Sequence, residues 1–130
     1  MPAAKRAPAK PLRQPPEVRL RLRVNVGEVV AIGPGKVSLL EAVAEHGSIS
    51  AAARSIEMSY RRAWLLLDEL NRSLKQPAFE TAQGGERGGG TRLTVTGEAV
   101  VHHYREAERA ALAAGRPQLV KLLGLMRRPL

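Results

Sequence analysis

A mainly α, α+β fold is predicted by three observations. Residues Gly47 to Trp64, GSISAAARSIEMSYRRAW, read as two short helices joined by a tight turn. Two short segments rich in Thr and branched residues, Ala78 to Thr81 and Thr91 to Thr96, flank a glycine-rich tip and read as a hairpin. Val100, Tyr104, Ala107, Ala111 and Ala114 step by four, three, four and three, a heptad seam that packs either on the domain's own core or on the same helix of a second chain, its alanine-rich character favouring the helix pair. Together these describe a winged helix-turn-helix: a three-helix core with an N-terminal hairpin, a β-wing and a C-terminal dimerisation helix.

The elements follow in order. Residues 1–18 mix Pro, Ala and Lys/Arg without an apolar period, which predicts a disordered basic arm. From Arg19 the pattern alternates, with Leu20, Leu22, Val24 and Val26 on one face and Arg19, Arg21, Arg23 and Asn25 on the other, predicting a half-buried strand. Gly27-Glu28 offers a turn, and Val29 to Ile32 a return strand. Gly33-Pro34-Gly35 is expected to stop any regular element. Lys36 to His46 carries Val37, Leu40, Val43 and Ala44 at helical spacing, and Gly47 ends that helix.

Ser48 can cap the next helix, whose inward face is Ile49, Ala52, Ala53 and Ile56. Small side chains at Ala51-Ala52-Ala53 suit the close approach of two helices that cross steeply. Ser59 can cap the third helix, Tyr60 to about Leu74, with Tyr60, Ala63, Trp64, Leu67, Leu70 and Asn71 along one face. Trp64, the single tryptophan, is expected to anchor the three-helix packing rather than to stack on a base. Thr96-Gly97-Glu98 opens the last helix, expected to run to about Ala114. The domain is therefore placed at residues 19–114, with 115–130 as a basic tail or a short docking helix.

Charge sharpens the functional reading. The formal net charge is +9, but residues 1–26 carry seven Lys/Arg against one acid, 27–114 ten against eleven, and 115–130 four against none. The globular part is nearly neutral, so local placement carries the case for nucleic acid. Arg54, Arg61 and Arg62 surround the helix pair, and Asp68 and Glu69 come a turn or more later, leaving the early third helix positive. Recognition helices meet DNA mainly through their N-terminal residues. The DNA-binding candidates are Ser50, Ser59, Tyr60, Arg61 and Arg62, with Arg87 and Arg92 of the wing as flanking contacts to backbone or minor groove. The Tyr60 hydroxyl either reaches a phosphate or snorkels. Val100, Tyr104, Ala107 and Ala111 are the dimerisation candidates, since DNA sites for such domains usually come as two half-sites.

Other chemistries find little support. The glycine-rich Gly84 to Gly90 is followed by neither Lys-Ser/Thr nor a helix start, against a phosphate-binding loop. His46, His102 and His103 are the only histidines, and the adjacent pair points about 100° apart on a helix, so no metal site is expected. No nucleophile, carboxylate pair or ligand spacing suggests catalysis, so the chain is read as a non-enzyme. Without cysteine or a long apolar run, the reading is a cytoplasmic protein with no membrane partner.

These same residues carry a family resemblance. Gly35 to Ala44, the run GSISAAARSIEMSYRRAWLLLDELN, the wing sequence GGERGGG and the LTVTG of Leu93 to Gly97 resemble the N-terminal winged-helix domain of the molybdate-responsive ModE-type regulators, over about residues 19–114. The LysR-type DNA-binding domain is a more distant likeness. The resemblance implies a homodimeric, sequence-specific regulator of molybdate transport or molybdoenzyme genes, with double-stranded DNA as partner. Members of that family bind molybdate in C-terminal effector domains, for which the residues after 114 leave no room. A stand-alone form is therefore expected, with no cofactor in this chain and no visible site for molybdate. The alternative readings are a winged-helix module for protein interaction and a regulator with no oxyanion response; the former would not need the Arg61-Arg62 end positive.

Overall fold

Short amphipathic segments bounded by capping residues build the fold, and a computed structural model describes residues 14–82 and 90–127. The elements are β1 (Val24–Val26), β2 (Val29–Ile32), α1 (Pro34–His46), α2 (Ile49–Ser55), α3 (Tyr60–Ser73), β3 (Phe79–Ala82), β4 (Gly90–Leu93) and α4 (Val95–Gly124). The strands form two separate antiparallel hairpins, β1 with β2 and β3 with β4. This is the α+β, winged helix-turn-helix architecture that the patterning predicts.

The first hairpin turns at Gly27-Glu28 as expected, and Gly27 takes a positive φ of 60°, a conformation that costs glycine little. Its strand is shorter than the alternation suggests. Only Val24–Val26 pairs, the register shifts between Val24 and Asn25, and the apolar face stays open, with Val26 66% exposed. Leu20 and Val24 are exposed as well. The expected half-buried strand is thus an edge lying against solvent, because no second layer among the described residues covers the apolar face at Val24 and Val26.

Gly33-Pro34-Gly35 ends β2 at Ile32 as expected, but it does not hold off the next element. Pro34 is the first residue of α1, where its missing N–H would be unsatisfied in any case and its fixed φ suits a helix. The buried side of α1 is also broader than the expected stripe: Leu39 and Ala42 join Val37, Leu40 and Val43, whereas Ala44 faces outward. Lys36 is buried too, at 5% exposure; its Nζ donates to the Val30 carbonyl at 2.5 Å and lies 3.9 Å from a Glu69 carboxylate oxygen. Those partners make the buried cation tolerable.

Gly47 closes α1 in the left-handed region, φ 74°, its N–H donating to the Val43 carbonyl at 2.9 Å. Its own carbonyl accepts from the Thr91 N–H at 2.8 Å, so the same residue fastens the second hairpin. Ser48 then caps α2 by accepting from the Ala51 N–H at 3.0 Å. Ile49, Ala52 and Ala53 are buried and Ile56 packs at their edge, as the small-residue pattern predicts. With Leu39, Leu40, Val43, Leu67 and Leu70 they form one apolar core.

The wing root is held by polar bonds. Asn71 on α3 accepts from the Ala78 N–H at 2.8 Å, and the Thr94 hydroxyl donates to the Pro77 carbonyl at 2.6 Å. Thr94 rather than Thr96 caps the last helix, accepting from the Gly97 N–H at 3.1 Å, so Val95 and Thr96 are helical and not strand. Gly97 lies hard against the wing: a Cβ there would sit 1.9 Å from the Ala78 carbonyl oxygen. The helix then passes the expected end at Ala114 and continues to Gly124, with Pro117 inside it. One missing backbone bond does not end a helix flanked by Ala110 to Ala114 and Leu119 to Leu123, both good helix formers.

Candidate nucleic-acid interface

The turn between α2 and α3 sets the interface. Glu57 has a positive φ of 56°, the one non-glycine residue among those described to do so, and it redirects the chain from α2 into α3. Ser59 then accepts from the Arg62 N–H at 3.1 Å, the cap the sequence predicts. With the core side of α3 taken by Ala63, Leu67 and Leu70, the positions between them face outward: Arg61, Leu65, Asp68 and Arg72.

Charge is arranged in order along that stripe. Arg61 and Arg62 are exposed and make no ion pair among the described residues, whereas Arg72 is bound by Asp68 at 2.9 Å. The N-terminal end therefore keeps its positive charge and the far end is neutralised. The uncompensated amides of a helix start add to the same sign. Guanidinium groups can donate in pairs to guanine or phosphate, and Leu65, one turn beyond Arg61, offers an apolar contact for a thymine methyl. Leu65 was not singled out from the sequence, although its i+4 spacing from Arg61 puts it on the same face.

A second cluster lies between α3 and the wing. Ser50, exposed on α2, shares a cleft with Ser48, Tyr60, Trp64 and Thr81. Tyr60 is 53% exposed, and its ring meets that of Trp64 edge-on with centroids 6.4 Å apart. Trp64 is 38% exposed, outside the buried core, and packs edge-on against Phe79 of β3 at 6.1 Å. It joins α3 to the wing instead of anchoring the three helices, because its position on α3 falls beyond the Ala63–Leu67–Leu70 face. Six of the seven sequence candidates for DNA contact can be placed. Ser59, Arg61 and Arg62 open α3, Ser50 and Tyr60 flank them on the wing side, and Arg92 lies on β4, exposed but paired with Glu80 at 2.8 Å. Arg87 and most of the glycine-rich tip lie outside the described residues.

The candidate dimer seam divides in two. Val100 packs on the chain's own core, and Tyr104 is buried, its hydroxyl donating to the Leu22 carbonyl at 2.7 Å. Tyr104 is thus taken up by the N-terminal segment, and Val100 is partly covered by the core. Ala107 and Ala111 are exposed, as are Leu112, Val120 and Leu122 further on. Between the halves, Arg105 binds α4 to α1 through a bidentate pair with Glu41, at 2.5 and 3.1 Å, and also reaches Glu108 at 2.7 Å. These hydrogen bonds, first that to Glu41, raise the Arg105 pKa further above its ordinary value. No group of three His, Cys, Asp or Glu that could hold a metal occurs among the described residues, and no described helix is long and apolar enough to cross a membrane.

Comparison with known proteins gives the family likeness of this stretch. Residues 35–98 match the family described as bacterial regulatory helix-turn-helix protein, lysR family, a class of regulators and not of enzymes. That stretch, from the start of α1 to the start of α4, is a helix-turn-helix domain of the lysR type. Within that class the chain is ModE-like. It is 38% identical over 95 residues to the molybdenum-pterin-binding protein MopA of Rhodobacter capsulatus, covering 73% of this chain and 33% of that protein. It is 38% identical over 90 residues to the molybdenum transport protein ModE of Azotobacter vinelandii, covering 69% and 33%. To the DNA-binding transcriptional dual regulator ModE of Escherichia coli K12 it is 32% identical over 88 residues, covering 68% and 34%. The chain thus spans about a third of the length of these relatives.

Proposed function

We propose that this protein is a sequence-specific, duplex-DNA-binding transcriptional regulator of molybdate transport or molybdoenzyme genes, acting in the cytoplasm as a homodimer. The carrying observation is the start of α3: a capped helix end with two exposed arginines free of ion pairs among the described residues, beside an apolar Leu65. That end enters the major groove, where Arg61 and Arg62 read bases or meet phosphate and Ser59 and Tyr60 bind the backbone. Ser50, Arg92 and Arg87 are flanking contacts, the last two from the wing. The names of the relatives, a molybdenum transport protein and a DNA-binding regulator, support the choice of target genes.

A second copy packs along Ala107, Ala111 and the exposed leucines that follow, presenting two α3 ends to two half-sites. The domain proper is residues 19–114, with a basic arm before it and, after it, a basic stretch that begins as the continuation of α4 to Gly124.

The test is binding of a selected operator at near-physiological salt. Arg61→Ala and Arg62→Ala each weaken specific binding by about 1–3 kcal/mol if the contact is bidentate to guanine, and by less if it meets phosphate alone. Wild-type affinity in both variants would remove the assignment.

A further inference from the structure

The recognition helix has a second cationic flank. Arg21 and Arg23 line the same open groove as Arg62, bounded by the N-terminal hairpin, the start of α1 and α3. Two residues apart on an extended segment, they fall on one side of it. Arg62 borders this groove, while Tyr60 and Trp64 border the cleft toward the wing, so the hairpin and the wing lie at opposite edges of α3. None of the three arginines makes an ion pair among the described residues. Two carboxylates share the groove, Glu28 and Glu69, and Glu69 is already opposed by the buried Lys36. Four cations against two acids leave it positive.

The segment that carries Arg21 and Arg23 is short of ladder bonds, since β1 begins only at Val24. What holds it is Tyr104: the phenol, buried on α4, donates to the carbonyl of Leu22, the residue between the two arginines. This bond from α4 therefore fixes the backbone between the two guanidinium groups.

We propose that Arg21, Arg23 and Arg62 form a clamp for DNA backbone phosphates at the edge of α3 opposite the wing, with Tyr104 as its positioning residue. The inference rests on the duplex-binding reading above. Planar guanidinium groups suit a phosphodiester, and contacts on both edges of the groove fix the angle at which α3 enters it without reading sequence.

Titration of the full chain with a selected operator and with a random duplex, between about 50 and 200 mM salt, tests this. Replacing both residues, R21A with R23A, lowers the slope of log affinity against log salt by about 2, equally on the two duplexes. R21K with R23K keeps the slope. Y104F lowers it part of the way and adds nothing when combined with R21A and R23A, which a merely structural role of the phenol would not produce. Arg61→Ala, in contrast, erodes the preference for operator over random duplex.

An unchanged slope in R21A/R23A, in a protein whose operator binding does fall with Arg61→Ala, overturns the clamp and leaves the recognition helix standing. So does a loss confined to the operator, which would make the arginines base readers. Saturable binding of inorganic phosphate or sulfate that is lost in R21A/R23A while the duplex slope stays fixed would reassign the groove to a free oxyanion. Absence of duplex binding by the wild type at low salt removes the clamp and the underlying reading together.

Discussion

At the seam between α1 and α4, Arg105 is gripped by Glu41 and Glu108, whereas at the start of α3 Arg61 and Arg62 meet no carboxylate among the described residues. Both regions are arginine on a helix within one small domain. The seam uses its charge to hold two helices together, and its side chains are partly withdrawn from water. The α3 end leaves its charge to solvent, where no acid among the described residues offsets it and the helix start carries the same sign. Charge that the fold satisfies internally is structural, and charge left open in an ordered, capped setting is available to a partner.

Several substitutions can break or sharpen that contrast. The largest effect is expected from Gly97→Ala at the wing root, where the added carbon would overlap the Ala78 carbonyl; a loss of at least about 3 kcal/mol in thermal or urea unfolding is expected. A variant as stable as wild type would show that α4 and the wing root can separate freely. Next comes Arg105→Ala, expected to lower stability by about 1–2 kcal/mol while operator affinity of the folded protein stays unchanged. Reversal of that pattern, with stability intact and binding lost, would erase the distinction between the two regions.

Tyr104 gives a smaller, pH-dependent effect. Its pKa is raised, first by burial and then by Glu108, against the opposing charges of Arg105, Arg21 and Arg23. The fold therefore favours the neutral phenol, which alone can donate to Leu22. That stability, about 1 kcal/mol for the hydrogen bond, is present in full below the unfolded value of about 10 and disappears as pH rises through the folded value. Melting curves from pH 8 to 11 should show the advantage of wild type over Tyr104→Phe shrinking only above about 10; a constant difference would contradict the hydrogen bond. Smallest is Glu57→Gly in the turn before α3. It relieves the left-handed strain but adds chain entropy, so a gain of less than about 1 kcal/mol is expected, read as a small rise in midpoint with DNA affinity unchanged.

Local signals were the most legible in the sequence. Ser48 and Ser59 cap the helices they were expected to cap, and Gly47 ends α1, because a cap depends on a few neighbouring backbone groups and little else. Burial that depends on distant packing was harder to read. Leu20, Val24 and Val26 alternate as a half-buried strand would, yet alternation says nothing about whether another layer exists to cover it. Trp64 sits at helical spacing with the core but falls on the edge that meets Phe79, a contact fixed by where the wing folds back. Gly115 and Pro117 look like a helix end, but the strong helix formers on either side carry α4 across them. Of the interface candidates, the α3 cluster was visible as a capped turn followed by arginines. The groove-lining pair Arg21 and Arg23 was visible only as strand periodicity, since nothing local announces that α3 lies beside them.

Gly47 carries a mechanical consequence. One residue finishes the first helix, adjoins the cap of the second and accepts the N–H of Thr91 at the base of the wing. A load on the wing would therefore reach the junction of α1 and α2, so the wing base and the start of the motif would tilt together as a lever and its fulcrum.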